Sequence, residues 1–176
     1  MDERVAAELI ADAVGEAGSI WADIGAGTGT FTRALRSLLP SESRIYAIDN
    51  DPQSVVELRH IGNGVIPVEA DFSRDIAWPG ASAPPLDGML LANSLHFVRD
   101  PDLVLRRLVR LVRPGGRVVI VEYDRRAANP WVPYPIRSRR WPVLAEDAGL
   151  TNVRVTARTP SQYTGELYVG VADKPT

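Results

Sequence analysis

The chain has 176 residues, with 20 Lys and Arg, 22 Asp and Glu, two His and no Cys. This length favours one domain, spanning residues 1–176, with a substantial core. The lack of Cys excludes a disulfide framework and thiol catalysis, and two His disfavour a His-built metal site, so we expect no metal. The net charge of −2 is unlike that of a nucleic-acid-binding protein.

Charge is divided unevenly along the chain. Residues 1–88 carry 6 basic and 14 acidic side chains, whereas residues 89–176 carry 14 basic and 8 acidic. The basic half could face an anionic partner, or its Arg could lie on solvated surface. The N-terminus lacks the pattern of a secretory signal, and the apolar stretches are too short to span a bilayer. We therefore expect a soluble cytoplasmic protein without a membrane span.

Helix and strand patterns alternate over the first two thirds of the chain, judged by apolar periodicity and by Pro and Gly at element ends. The predicted elements are helix 2–14, strand 19–24, helix 30–39, strand 44–48, helix 52–61, strand 65–68, strand 87–92, helix 101–112 and strand 117–123. This alternation predicts a Rossmann-like, doubly wound α/β fold, in which helices cover both faces of a mostly parallel sheet. A helix over 141–148 and strands over 152–158 and 166–172 follow. Because only a loop joins these two strands, they predict a C-terminal antiparallel hairpin that completes an α-β-α sandwich.

Residues 124–142 form a short insertion rich in Pro, Arg and aromatic residues. The insertion follows the carboxyl end of a predicted strand, where open α/β sheets bind their ligands. Trp131 and Tyr134 are therefore candidates for contact with a substrate. The alternative is a surface connection whose aromatic rings pack on the sheet.

The most informative motif is Asp-Ile-Gly-Ala-Gly-Thr-Gly-Thr at 23–30, which follows a predicted strand and opens a helix. Gly residues let the backbone approach a ligand closely, and a helix N-terminus suits a carboxylate or phosphate. Asp49 ends the next strand, where an acid can accept both hydroxyls of a ribose. Asp71 and Phe72 end the third strand, where a carboxylate and a ring suit an adenine. Each feature also has a structural explanation: a tight turn, a solvated acid, or a loop acid beside a core Phe.

This ordered set resembles the class I S-adenosylmethionine-dependent methyltransferases over nearly the whole chain. Further matching pieces are the strand at 87–93, the turn and strand at 111–122, and the terminal hairpin. The loop at 93–100 resembles the small-molecule branch related to ubiquinone and menaquinone methyltransferases. A dinucleotide oxidoreductase fits less well, because Thr30 stands where its motif has a third Gly or Ala.

The resemblance implies S-adenosylmethionine as cofactor and S-adenosylhomocysteine as product. It places the methionine part at Asp23, Gly25 and Gly27, and the backbone of Asn93 beside the reacting methyl. The full set that it implies for the cofactor is Asp23, Gly25, Ala26, Gly27, Gly29, Asp49, Asn50, Asp71, Phe72 and Asn93.

The resemblance assigns no catalytic residue. His96, Tyr123 and Asp124 are candidates because they stand at or just after predicted strand ends at the open end of the site. The alternative for His96 is a loop residue that orders the backbone, and for the other two, packing and turn formation.

The sequence leaves the identity of the methyl acceptor open. We expect methyl transfer to a small molecule by in-line displacement, with an RNA or protein methyltransferase as one alternative. A noncatalytic S-adenosylmethionine-binding sensor or partner subunit is another. Because only about 18 residues precede the first predicted strand and the insertion at 124–142 is short, we expect an open site, over which a homodimer could supply a lid.

Overall fold

A computed structural model describes residues 1–16, 18–79, 84–125, 127–161 and 165–176. The helices are α1 Glu3–Val14, α2 Thr30–Leu38, α3 Pro52–Arg59, α4 Pro101–Val109 and α5 Trp141–Asp147, with a 3-10 turn at Leu95–Phe97. The strands are β1 Ile20–Ile24, β2 Arg44–Asp49, β3 Val65–Glu69, β4 Leu86–Ala92, β5 Val112–Tyr123, β6 Thr151–Pro160 and β7 Glu166–Asp173. Within these ranges no helix combines the length and the apolar character needed to cross a membrane.

All of these strands form a seven-stranded sheet in the order β3-β2-β1-β4-β5-β7-β6. Along β3-β2-β1-β4-β5 each strand is parallel to the next, whereas β7 is antiparallel to both β5 and β6. This confirms the predicted fold and its reversed C-terminal hairpin. The chain winds in opposite directions from β1, first to β2 and later to β4, and this switch point opens a crevice at the carboxyl ends of the strands.

Helices cover both faces of the sheet, and each buries an apolar stripe. Leu9 and Ile10 of α1 and Leu35 of α2 pack in one cluster, whereas Leu105 of α4 and Trp141 of α5 pack in the other. Aspartates begin three of these helices: Asp2, Asp51 and Asp100 accept backbone N–H groups of the first turns of α1, α3 and α4.

The largest boundary difference lies between α4 and β5. The helix predicted to reach residue 112 ends at Val109, because Val112 already pairs with Leu86 of β4. The register then shifts, so that Gly88 pairs with Arg117. The turn expected within 111–122 is therefore an irregularity within one strand.

The insertion at 124–142 is held by its aliphatic residues and by its last Trp. Val132, Ile136 and Trp141 are buried, and the Tyr168 hydroxyl donates to the carbonyl of Ile136 at 2.9 Å. Trp131, in contrast, is 76% exposed. The packing interpretation is thus confirmed for Trp141, which lies against Gly170 of β7.

Asp87, at the start of β4, ties together the amino ends of three strands. Its Oδ2 accepts the backbone N–H groups of Ser19 and Ile20 at 2.7 and 2.8 Å, and its Oδ1 accepts Nε of Arg113 at 2.5 Å. Burial alone would raise the pKa of Asp87, but these hydrogen bonds outweigh burial and hold it below its ordinary value.

We expect Asp87→Asn to lower the free energy of unfolding by about 2 kcal/mol at neutral pH, because hydrogen bonds to a charged group contribute about 1.5–3 kcal/mol. A carboxylate with a lowered pKa stabilises the fold above its unfolded pKa, so the difference should shrink as the pH falls below about 4. Urea unfolding at neutral and acidic pH measures both effects. Asp75→Asn is the control, since Asp75 is 99% exposed; equal losses in the two variants would contradict this account.

Candidate active site at the carboxyl edge of the sheet

A cavity of about 910 Å³ opens at the carboxyl ends of the parallel strands, at the switch point between β1 and β4. Its lining includes nine of the predicted site residues: Gly25, Ala26, Gly27, Asp49, Asn50, Asp71, Phe72, Asn93 and Tyr123. These residues are distant in sequence, and the parallel sheet brings them together because it places all of its strand ends at one edge.

The glycine turn is shaped by two different requirements. Gly25 has a φ of +74°, and a Cβ there would lie 2.5 Å from Cβ of Ser94, so the loop after β4 can approach only because this residue lacks a side chain. Gly27 has a φ of +54°, but a Cβ there would meet nothing within 4 Å. The space beside Gly27 therefore belongs to the cavity, and a ligand can reach its backbone.

Asp49 joins the glycine turn to the end of β2. Its Oδ2 accepts the N–H of Gly27 at 2.7 Å, and its Oδ1 accepts the N–H of Asp51 at 2.9 Å. Ionised carboxylate oxygens each carry two acceptor positions. The carboxylate can therefore hold the turn and still accept hydroxyl groups of a ligand.

Asp71 and Phe72 form one end of the cavity. Oδ1 of Asp71 accepts the N–H of Ser73 at 2.9 Å, and hydrogen bonding from Ser73 holds the pKa of Asp71 below its usual value. The ring of Phe72 reaches the glycine turn, since its Cε1 lies 3.3 Å from the Cβ position of Gly25. A flat apolar surface and an ionised acceptor thus stand side by side.

The wall formed by the loop after β4 contains two buried oxygens without a hydrogen-bond partner, Oδ1 of Asn93 and Oγ of Ser94. Asn93 has a φ of +53°, and its N–H donates to the carbonyl of Val121 at 2.8 Å. Buried acceptors that lack a donor cost free energy. Because both residues line the cavity, a ligand that brings donors can relieve this cost.

Two predicted cofactor residues, Asp23 and Gly29, lie behind the described cavity lining. Gly29 is needed where it stands, since a Cβ there would lie 2.6 Å from Cδ1 of Ile61. Asp23 is 1% exposed, and its Oδ2 accepts the hydroxyl of Thr32 at 2.7 Å. Burial raises the pKa of Asp23 to about 7; the Thr32 bond opposes this shift, and the nearby Asp49 carboxylate adds to it.

We expect Asp23→Asn to become more stabilising relative to the natural chain as the pH rises. The folded chain keeps the Asp23 proton up to about pH 7, whereas the unfolded chain releases it near pH 4. The free energy of unfolding of the natural chain therefore falls by about 2 kcal/mol between pH 5.5 and pH 7, whereas that of Asp23→Asn does not fall for this reason. The difference in Tm should grow by about 5 °C over this range. Asp12→Asn, at an exposed position on α1, is the control; a Tm difference for Asp23→Asn that does not change with pH would contradict this expectation.

Of the candidates for catalysis, Tyr123 lines the cavity, whereas His96 lies just behind it. Nδ1 of His96 is 2.6 Å from Oε2 of Glu122, and the backbone N–H of His96 donates to the other carboxylate oxygen at 3.1 Å. Both side chains are buried. The ring centroid of His96 lies 4.4 Å from that of Phe97 and 5.9 Å from that of Tyr123, both of which line the cavity.

The interpretation of His96 as a residue that orders the loop agrees with these contacts, because its carbonyl also accepts the N–H of Tyr134 at 2.9 Å. Glu122 is the partner that fixes the imidazole. A buried Glu at the end of a core strand is a signal that could have found it, since such an acid needs a partner.

Asp124, Trp131 and Tyr134 do not belong to the described lining. Asp124 accepts hydrogen bonds from the Ser138 hydroxyl and from Nη1 of Arg158. Burial alone would raise the pKa of Asp124, but these hydrogen bonds hold it below its ordinary value. Trp131 and Tyr134 are exposed because the insertion turns its aliphatic side chains towards the core instead. Their contact with a substrate stays a prediction.

The far end of the cavity is built from residues that sequence reasoning missed. They come from the start of α1 and from the β6–β7 hairpin, and include Asp2, Val5, Thr159, Ser161 and Leu167. No local pattern marks these residues, since their position depends on how α1 and the hairpin cross the sheet edge.

The charged side chains in the described lining are Asp2, Asp49 and Asp71, and none of the described lining residues is Lys, Arg or His. The described part of the chain also holds no group of three or more His, Asp or Glu suited to a metal ion. The arrangement therefore suits a cationic or neutral ligand that carries hydroxyl and amine donors.

Residues 22–118, more than half of the chain, match the family described as "Methyltransferase domain". The chain belongs to this family. It is therefore a class I methyltransferase domain of the S-adenosylmethionine-dependent type, as the sequence motifs indicate, and the oxidoreductase alternative is wrong.

Similar curated proteins are ubiquinone/menaquinone biosynthesis C-methyltransferases. The Pasteurella multocida protein is 31% identical over 114 residues, which cover 61% of this chain and 41% of that protein. The Hahella chejuensis protein is 27% identical over 123 residues, covering 66% of this chain and 47% of that protein. This methyltransferase chain thus matches less than half the length of either relative.

Solved structures share the fold at low identity. The CurJ carbon methyltransferase has a TM-score of 0.79 at 19% identity, covering 99% of this chain and 54% of that one. The YcgJ protein from Bacillus subtilis has a TM-score of 0.75 at 13% identity, covering 98% and 99% of the two chains.

Proposed function

We propose that this chain binds S-adenosylmethionine in the cavity and transfers its methyl group to a carbon atom of a small molecule. The observation that carries the proposal is the Asp49 carboxylate, which holds the glycine turn beside the open space at Gly27. The names of the curated relatives, which are C-methyltransferases, support carbon as the acceptor atom.

The residues present fit this cofactor. Asp49 would accept the ribose hydroxyls, and Asp71 with Phe72 would hold the adenine. The orphaned Oδ1 of Asn93 suits a donor such as the methionine ammonium group. When bound, S-adenosylmethionine supplies a methyl group already activated by its sulfonium, and the three aspartates of the lining suit that positive charge.

The acceptor would occupy the end of the cavity formed by α1, Tyr123 and the β6–β7 hairpin. This end offers apolar surface at Val5 and Leu167 and hydroxyl groups at Thr159 and Ser161. Such a surface suits a neutral, partly apolar small molecule. The chain's contribution to in-line displacement is alignment, which can supply roughly 7–11 kcal/mol of a barrier.

His96 would accept the proton that a carbon acceptor loses. The Glu122 carboxylate can accept from Nδ1–H, and in that tautomer Nε2 is the acceptor atom of the ring. The position of His96 between Phe97 and Tyr123 brings it next to the cavity. A general base must lie within hydrogen-bond reach of the proton that it takes, directly or through one water, so His96, which lies behind the lining, would act through a water. The orienting carboxylate is the usual third partner of such a base.

We expect His96→Asn to lower kcat at least a hundredfold, because general-base catalysis contributes about 10²–10⁴-fold. Its Kd for S-adenosylhomocysteine should change less than threefold, since His96 does not line the cavity. Glu122→Gln should lower kcat less, because the amide oxygen of Gln can still accept a hydrogen bond from Nδ1 of His96. A kcat for His96→Asn that equals that of the natural chain would remove His96 from the mechanism.

Cofactor binding itself is tested at Asp49. We expect Asp49→Asn to raise the Kd for S-adenosylhomocysteine about tenfold or more in calorimetry, because hydrogen bonds to a charged group contribute about 1.5–3 kcal/mol. Asp51→Asn is the matched control, since Asn caps a helix as well as Asp does. Equal Kd values for Asp49→Asn and the natural chain would refute the ribose role.

Transfer is tested with a radiolabelled methyl group. We expect the label to pass from S-adenosylmethionine to small hydroquinone or β-dicarbonyl acceptors, and not to RNA or protein. Labelled RNA or protein would favour a macromolecular acceptor. Tight binding of S-adenosylhomocysteine without transfer to any acceptor would favour the noncatalytic alternative.

A further inference from the structure

Arg107 of α4 reaches across to the segment that follows β3. Its Nη2 donates to the carbonyl of Phe72 at 2.6 Å, and its Nη1 donates to the carbonyl of Ser73 at 3.0 Å. Its Nε lies 3.9 Å from Oδ1 of Asp75. The planar fork of a guanidinium matches two adjacent carbonyls, so these contacts fix both the distance and the orientation of the backbone.

The two carbonyls belong to residues of the cavity wall. Asp71, Phe72 and Ser73 all line the cavity, and they follow β3, which is an edge strand of the sheet. An edge strand has a neighbour on one side only, so the segment after it receives little support from the sheet. The hydrogen bonds that the segment makes within itself, from Ser73 and Arg74 to Asp71, shape the turn without fixing where it lies.

The helix that carries Arg107 directly follows the loop that forms another wall of the cavity. Helix α4 begins at Pro101, directly after the loop in which Asn93, Ser94 and Phe97 line the cavity. Arg107 therefore connects the two walls through one rigid element. A change in its contacts would alter the width of the cavity at the end formed by Phe72.

We propose that Arg107 is a positioning residue that holds Asp71 and Phe72 at the distance and angle needed to recognise an adenine. The inference rests on the proposed function, because it assigns the adenine to this end of the cavity. It adds a residue that touches no part of the cofactor and acts through the backbone of the residues that do.

The chain offers a matched control on the same helix. Arg106 also donates to a backbone carbonyl, with Nε 2.9 Å from the oxygen of Asp147. That contact joins α4 to the end of α5, away from the described lining. Arg106→Met therefore removes the same kind of side chain and the same kind of bond without releasing the segment after β3.

The experiment compares two probes by calorimetry, S-adenosylhomocysteine and S-inosylhomocysteine, in which an oxygen replaces the 6-amino group of the adenine. The natural chain should prefer the adenine form about tenfold or more, because Asp71 accepts from that amino group. Arg107→Met should bind S-adenosylhomocysteine about tenfold more weakly than the natural chain does. It should prefer S-adenosylhomocysteine over S-inosylhomocysteine by less than threefold. Arg107→Lys should lie between the two, since an ammonium group keeps the charge but not the planar fork.

Arg106→Met should keep both the affinity and the preference within twofold of the natural chain. Unchanged affinity and preference in Arg107→Met would overturn the proposal, and so would equal losses in the Arg106 and Arg107 variants. A natural chain that binds both probes equally would overturn the adenine assignment on which it rests. Failure of the natural chain to bind either probe would instead refute the proposed function. If Arg107→Met does not fold, Arg107→Lys is judged by the same preference ratio.

Discussion

The cavity depends on the two hydrogen bonds of the Asp49 carboxylate. One bond fixes the N–H of Gly27 in the turn after β1, and the other fixes the N–H of Asp51 at the start of α3. The backbone of the turn is further held by Ile48, whose carbonyl accepts from Gly25 and Ala26. The ends of β1 and β2 therefore form one unit, with a negative charge at its centre and open space beside it.

The remaining walls are built against this unit. Ser94 approaches so closely that only Gly fits at position 25, and Cε1 of Phe72 lies 3.3 Å from the position that a Cβ of the same residue would take. Three segments of the chain, which follow β1, β3 and β4, thus meet at Gly25, a residue without a side chain. Unpaired oxygens at Asn93 and Ser94 and a raised pKa at Asp23 mark this region as polar and only partly satisfied. Such features are concentrated at binding sites because a ligand completes them.

Sequence reasoning could predict the half of the cavity that follows β1, β2 and β3. Those residues stand at strand ends, and a parallel sheet places its strand ends at one edge, so Asp49 and Phe72 are found from local pattern alone. The acceptor end could not be predicted, because Thr159 and Leu167 reach the cavity through the tertiary position of the hairpin. The contact of Arg107 with Phe72 spans 35 residues and leaves no local pattern. In the insertion, composition alone could not show that Ile136 would turn inwards and Trp131 outwards.

A crystal structure of the chain with S-adenosylhomocysteine tests the central claim most directly. The account predicts ribose hydroxyls within hydrogen-bond distance of Asp49, the adenine against Phe72, and the sulfur beside Asn93 and open towards Tyr123. A ligand bound outside this cavity, or a ribose without contact to Asp49, would contradict it.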